Sequence, residues 1–283
     1  MGKIKKYLVL DTETTSLPFI NDEKYKNLKL SIRYPLIYDI GWVIVDRRGN
    51  IYKKVNYLVN EIFFDEQLYQ TAYYYDKKSL YYEELQKGNI KTNNWHEIVS
   101  ELFEDLNCCE IAPAYNCCFD FKKAFPFTEK YIKALYKGNR QKFINYYKYI
   151  IDSNKPAEKE KNAEYLKPYF TIRGTKFNIA DLWGLACSKI LNTKKYKDFA
   201  YKNQLYSPSK KFFSTNAQDC YKFLFDENFI ESHTALADAI IESQILCKIL
   251  SKGKIEPIIV PFPFREVGTV EKYCYQYKKP LNN

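Results

Sequence analysis

Three short stretches of this chain carry residues whose types and spacing could do chemistry. The first is Asp11-Thr12-Glu13, followed by Thr14, Thr15, Ser16 and Leu17. Along an extended strand Asp11 and Glu13 point to the same face, ~7 Å apart, so both can reach one pair of hard cations. Alone, such a D-x-E pair has almost no specificity. The second stretch runs from Asn116 to Asp120 (NCCFD), and the third is HTALADA, in which His233 stands five residues before Asp238. His233 is one of only two histidines in the chain.

The elements around these stretches must position them. Lys5 to Leu10 is a short β-branched and aromatic run that predicts a buried central strand, with the first acidic cluster at its C-terminal end. Leu36 to Asp46 (LIYDIGWVIVD), the turn Arg48-Gly49-Asn50 and Ile51 to Val59 continue it as a three-stranded meander. Trp95, Ile98, Leu102, Phe103 and Leu106 recur at the spacing of one helical face. Ile111 to Ala114 then reads as a fourth strand, parallel to the first, and it feeds the second stretch into a helix reaching Tyr136. Further helices are expected over Ile179 to Leu191, over Asn216 to Phe225 behind the caps Ser214 and Thr215, and over Thr234 to Leu250. Ser153 to Glu164 reads as a loop, and the Pro-rich tail 253–283 as an extended strap. Strands followed by a strand flanked with helices predict an α/β or α+β mixed sheet, and in such sheets chemistry collects at the carboxyl ends of strands. Asp39 and Asp181 read as structural acids, at the surface or capping helices.

LDTETTSL, AYNCCFD and HTALADA, in that order and at a strand end, a helix entry and a helix start, resemble the three motifs of the DEDDh 3′-to-5′ exonucleases. The resemblance spans Lys5 to Leu250 and implies an exonuclease domain over residues 1–252. That domain would have an RNase H-like mixed five-stranded sheet flanked by helices. It implies that Asp11, Glu13, Asp120 and Asp238 hold two Mg2+ ions, with Mn2+ able to substitute, and that His233 is the general base. Oxygen-only donors agree with that choice of metal, because convergent carboxylates repel one another unless cations neutralise them. In the family, positions matching Thr14 and Leu17 approach the terminal nucleotide, Leu17 as an apolar wedge, and the position of Asn116 lies at the mouth of the site. Leu17 reads equally well as a core contact. This chain departs from the common pattern at Tyr115, where a His is frequent, and at Cys117-Cys118; no metal ligand is affected. The implied partners are single-stranded 3′ ends of DNA or RNA and a replication or repair protein.

The 283 residues are 46% hydrophobic and 28% charged, with only 9 Gly and 11 Pro, which excludes a collagen-like, low-complexity or wholly disordered chain. No stretch approaches the ~20 apolar residues of a membrane span, and eight sparse cysteines without C-x2-C spacing read as reduced thiols in the cytoplasm. The net charge of +10 is uneven: residues 129–211 hold 19 Lys and Arg against 7 Asp and Glu. This basic segment falls between the second and third motifs and reads as a largely helical insertion that clamps a polyphosphate strand, with Tyr146, Tyr147 and Tyr149 able to stack on bases. Its rivals are a solvated face, and tyrosines that pack a small core. Two function classes remain: a metal-dependent 3′-to-5′ exonuclease, or a catalytically silent binding module on the same fold.

Overall fold

A computed structural model describes residues 4–21, 23–25, 33–153 and 165–277. The expected loop 153–164 therefore lies almost wholly outside the described residues. The chain is a mixed α/β structure with one four-stranded and one three-stranded sheet, flanked by helices.

β1 (Lys6–Thr15), β2 (Leu36–Asp46) and β3 (Ile51–Val59) pair antiparallel as the predicted meander, and β4 (Lys91–Asn93) joins the far edge of β3 in parallel. β1 runs on through the acidic cluster instead of stopping before it. Along β1, Leu8 and Leu10 enter one apolar cluster while Tyr7 and Val9 enter another on the opposite face, so the strand is covered on both sides. Period-two alternation then puts Asp11 and Glu13 on the face of Tyr7 and Val9. That is the face against which Ile245, Leu246 and Ile249 of the last long helix pack.

β5 (Ala112–Ala114) pairs in parallel with β7 (Thr175–Asp181), and β7 pairs antiparallel with β6 (Tyr169–Ile172). The two sheets meet at a single parallel bridge, Tyr7 to Ile111, where Leu8 N–H donates to Ile111 O (3.2 Å) and Glu110 N–H to Lys6 O (2.9 Å). That bridge is the anticipated pairing of the first strand with the run 111–114. The segment 129–211 differs from the expectation of a largely helical insertion. It contributes β6 and β7, and the helix entered at Leu182 starts where β7 ends. The missed signal is Arg173-Gly174, whose backbone dihedrals are both left-handed (φ 50° and 81°) and close a two-residue hairpin turn. The tail also differs: Phe264–Val267 is helical behind Pro263, where a missing N–H costs nothing, and Val270–Tyr277 behind Thr269, whose Oγ1 accepts from Lys272 N–H (3.2 Å).

Five helices position the site and its surroundings. α1 (Trp95–Asn107) and α2 (Phe125–Tyr136) pack on the Leu8 face, with α3 (Arg140–Asp152) beside α2. α4 (Ala217–Leu224) is capped by Asn216, whose side chain accepts from Asp219 N–H, and not by the anticipated Ser214 or Thr215. α5 (Ala235–Ser251) lies across β1 and β2. Its first turn sits directly on Gly41 of β2, the register partner of Asp11, and a Cβ there would lie 2.3 Å from Leu236 N. Glycine is thus what allows the helix to approach the acidic strand so closely. Gly41→Ala is expected to destabilise the fold by at least about 1–3 kcal/mol, the scale of overpacking, and to weaken metal binding by shifting Asp238. Thermal melts with and without Mg2+ check this; a variant that melts like wild type would show that the helix seat is not tight.

Candidate active site

β1 delivers Asp11 and Glu13 to the α5 face, and α5 answers with Asp238 in its first turn and Glu242 one turn later. Asp120 arrives from the β5 end, where the chain enters a short helix at Cys117 and passes through one π-helical turn, Asp120–Ala124, before α2. Such turns alter the facing of the side chain that opens them and are frequent at functional sites. Asp120 Oδ1 accepts a hydrogen bond from Thr12 Oγ1 at 2.6 Å, which ties the second stretch to the first.

The five carboxylates crowd together, Asp120, Asp238 and Glu242 buried and Asp11 and Glu13 half-buried, and burial raises the pKa of every one of them. Burial lifts Asp11 well above the usual range, and Glu242, Asp120, Asp238 and Glu13 add repulsion. Burial and then Asp238 do the same to Glu13. Burial pushes Asp120 up to about 7 against the opposing pull of the Thr12 hydrogen bond. It pushes Asp238 up to about 8, with Glu231 and Asp39 adding to it. Glu242 is raised too, chiefly by burial and Asp120, although Tyr115 N–H donates to its Oε2 at 3.1 Å. A set of carboxylates so crowded calls for cations. Asp238 Oδ1 is a buried oxygen without a hydrogen-bond partner, a free lone pair in an acidic centre. Among the described residues, donor atoms of Glu13, His233 and Asp238 lie within 4.8 Å of one another, the tightest part of this centre. The carboxylate oxygens of the centre fit Mg2+ or Mn2+, while the His233 nitrogen adds a softer donor.

His233 stands on the loop before α5 with a left-handed backbone (φ 54°), a strained conformation of the sort that gathers at functional sites. Its ring lies flat on Tyr74, centroids 4.5 Å apart and planes 15° from parallel, and its Nδ1 is 3.5 Å from Glu231 Oε2. Lys77 sits over the other part of this platform, 4.3 Å from the Tyr74 ring centroid, and donates to Ser232 O. Burial and then Lys77 lower the His233 pKa, so the neutral ring is favoured.

Of the other anticipated residues, Thr14 is half-buried just past a register shift of β1, and Asn116 is exposed at the entry of the helix begun at Cys117. Leu17 has no exposed surface and packs in the main core, the contact that its alternative reading expects. Asp39 and Asp181 are indeed caps, but buried ones. Asp181 accepts from Gly184 N–H at the helix entered at Leu182, and Asp39, 196 residues away in sequence, accepts from Ala235 N–H of α5 (2.9 Å). Asp39 also accepts from Tyr81 OH and Asn56 Nδ2, which pins the α5 terminus to β2. Tyr147 packs against Tyr34, Phe127 and Phe143, whereas Tyr146 and Tyr149 are exposed.

Glu242, Glu231, Tyr74 and Lys77 were not anticipated. Glu242 had a signal, since D-x3-E puts both acids on one face of a helix. The other three come from loops that only the fold brings to His233. No helix among the described residues is long and apolar enough to cross a membrane, and all eight cysteines are free. No protein-family model matches the chain, and no curated protein matches it.

Proposed function

We propose that this protein is a two-metal-ion 3′-to-5′ exonuclease of the DEDDh type, working in the cytoplasm on single-stranded DNA or RNA and releasing nucleoside 5′-monophosphates. The observation that carries this is the meeting of Asp11, Glu13, Asp120 and Asp238, from three segments up to 227 positions apart, in one acidic centre beside His233. The sheet supports the RNase H-like reading. Through the Tyr7–Ile111 bridge its strands run β4-β3-β2-β1-β5-β7-β6, and β1 has an antiparallel neighbour on one side and a parallel one on the other.

Asp11, Glu13, Asp120 and Asp238 would hold the ions, which supply Lewis acidity to an in-line phosphoryl displacement and a lowered pKa for the attacking water. His233 accepts the proton of that water. Its neutral form is favoured by burial and Lys77, and Glu231 at Nδ1 leaves Nε2 as the nitrogen that takes the proton. The Tyr74 stack and the left-handed backbone fix the ring before substrate arrives. Glu242 bonds the Tyr115 backbone and holds the β5 end against α5.

With Mg2+, a 5′-labelled single strand is expected to give a descending ladder to short products, and a circular strand to resist. Internal cuts in the circle at a comparable rate would move the assignment to an endonuclease. Binding without any cleavage would move it to a silent binding module.

A further inference from the structure

Resting on that reading, we propose that the aromatic cleft next to Asn116 is a second subsite, which stacks unpaired bases of the substrate strand upstream of its 3′ end. The cleft has a volume of about 670 Å³, well inside the ~300–1,000 Å³ of ligand sites. Its walls are Tyr115, Trp183, Tyr206, Phe212 and Phe264, drawn from the β5 end, the helix entered at Leu182, the loop before α4 and the tail. Trp183, Tyr206, Phe212 and Phe264 are all only half-buried, unlike the aromatic residues of the core. Trp183 and Phe264 lie nearly parallel (6.3 Å, 23°), and Phe212 meets Phe264 edge-on at 4.9 Å.

The platform is held rigidly. Trp183 Nε1 donates to Thr215 Oγ1 at 2.9 Å, and Tyr115 OH donates to Thr215 O at 2.9 Å. Its rim has the sign that a phosphate backbone requires: the stretch 206–217 carries Lys210 and Lys211, both exposed, and no acid. Arg265 lies 4.7 Å from the ring centroid of Phe262, which is itself 60% exposed, with Glu266 the one acid beside it in the tail. The cleft adjoins the acidic centre through two of its lining residues, Tyr115 and Asn116. Tyr115 binds Glu242 through its backbone N–H, and Asp120 N–H donates to Asn116 O (3.3 Å). On the other side Glu231 N–H donates to Gln218 Oε1 of α4, the helix whose first residue, Ala217, lines the cleft. A strand whose terminal phosphodiester lies at the carboxylates therefore has aromatic faces and cations next along its path. Stacking on such faces accepts any base, which suits an enzyme that must step along a strand.

The cleft can be read directly by fluorescence, because Trp42 and Trp95 are buried (0% and 2% exposed) and Trp183 is the half-exposed tryptophan. In EDTA, which prevents cleavage, ten-nucleotide dT and rU strands are titrated into the full chain. At least one is expected to quench Trp183, and which of them does so distinguishes DNA from RNA. Phe264→Ala and Phe212→Ala should each weaken binding roughly 5- to 150-fold and, with Mg2+, erase the preference for a ten-mer over a dinucleotide. Should either fail to fold by circular dichroism, the exposed pair Lys210→Ser and Lys211→Ser still tests the site. It should reduce the slope of log Kd against log salt by about 0.7 per lysine. Wild-type cleavage with no quenching, and with the length preference and salt slope intact in these variants, would overturn the subsite and leave the exonuclease reading standing. A wild-type protein that neither binds nor cleaves would overturn both.

Discussion

Asp238→Asn is expected to abolish cleavage and at the same time to stabilise the metal-free fold at pH 8. The two effects share one cause. In the folded chain burial pushes Asp238 up to about 8 and Asp120 to about 7, and it raises Asp11, Glu13 and Glu242 as well, whereas unfolded carboxylates titrate near 4. Between about pH 4 and 8 the folded state thus binds more protons than the unfolded one, and stability must fall as pH rises through that window. Removing one charge relieves the repulsion, so the melting temperature of Asp238→Asn at pH 8 should exceed that of wild type in EDTA. Mg2+ should raise the wild-type value at pH 8 and raise the variant's far less. Activity should drop by at least roughly 10³-fold, because misplacing the ions forfeits several kcal/mol of transition-state stabilisation. Asp11→Asn should behave likewise. Calorimetry at pH 5 and 8, with and without Mg2+, checks the linkage. A metal-free wild type that becomes more stable between pH 5 and 8 would mean the carboxylates are not crowded as described.

How much of the molecule is legible in its sequence depends on how local each signal is. β2 and β3 have the bounds that the sequence predicts, since a largely apolar run and a Gly-Asn turn between strands are decided within a few residues. The three motif stretches are legible because Asp11 and Glu13 directly follow an apolar run while Asp120 and Asp238 stand at helix entries. Glu242 has only the D-x3-E spacing, which acids on a solvated helix face share, and only the buried flank of α5 against β1 sets it apart. The α5 cap is hidden by the same limit. Thr234 stands at the cap position but makes no side-chain bond there, and the acceptor comes from Asp39 across the sheet. β6 and β7 are concealed inside a Lys- and Tyr-rich stretch whose charge suggests an appended clamp. β7 also pairs with β5, a partner about 65 residues back, which no local pattern announces. Tyr74 belongs to a tyrosine run with no pattern of its own, and its role exists only once His233 lies on it.

His233→Ala should slow turnover by roughly 10²- to 10⁴-fold, the scale of a lost general base. The neighbourhood frames a direct rival: with Glu13 and Asp238 donor atoms within 4.8 Å, the imidazole is also placed to be a ligand. The two roles separate in two measurements. A base leaves Mn2+ affinity near that of wild type when it is removed, while a ligand takes affinity with it. A base also imposes its own titration on the rate. Because burial and Lys77 lower the His233 pKa below its usual value near 6.5, the proton-accepting form should dominate from mildly acidic pH upward. The wild-type kcat/KM should therefore rise with pH and level off below 6.5, and this limb should vanish in His233→Ala. Lys77→Gln removes the cation that opposes protonation, so in that variant the same limb should move to higher pH; a limb that stays in place would show that Lys77 does not govern the histidine.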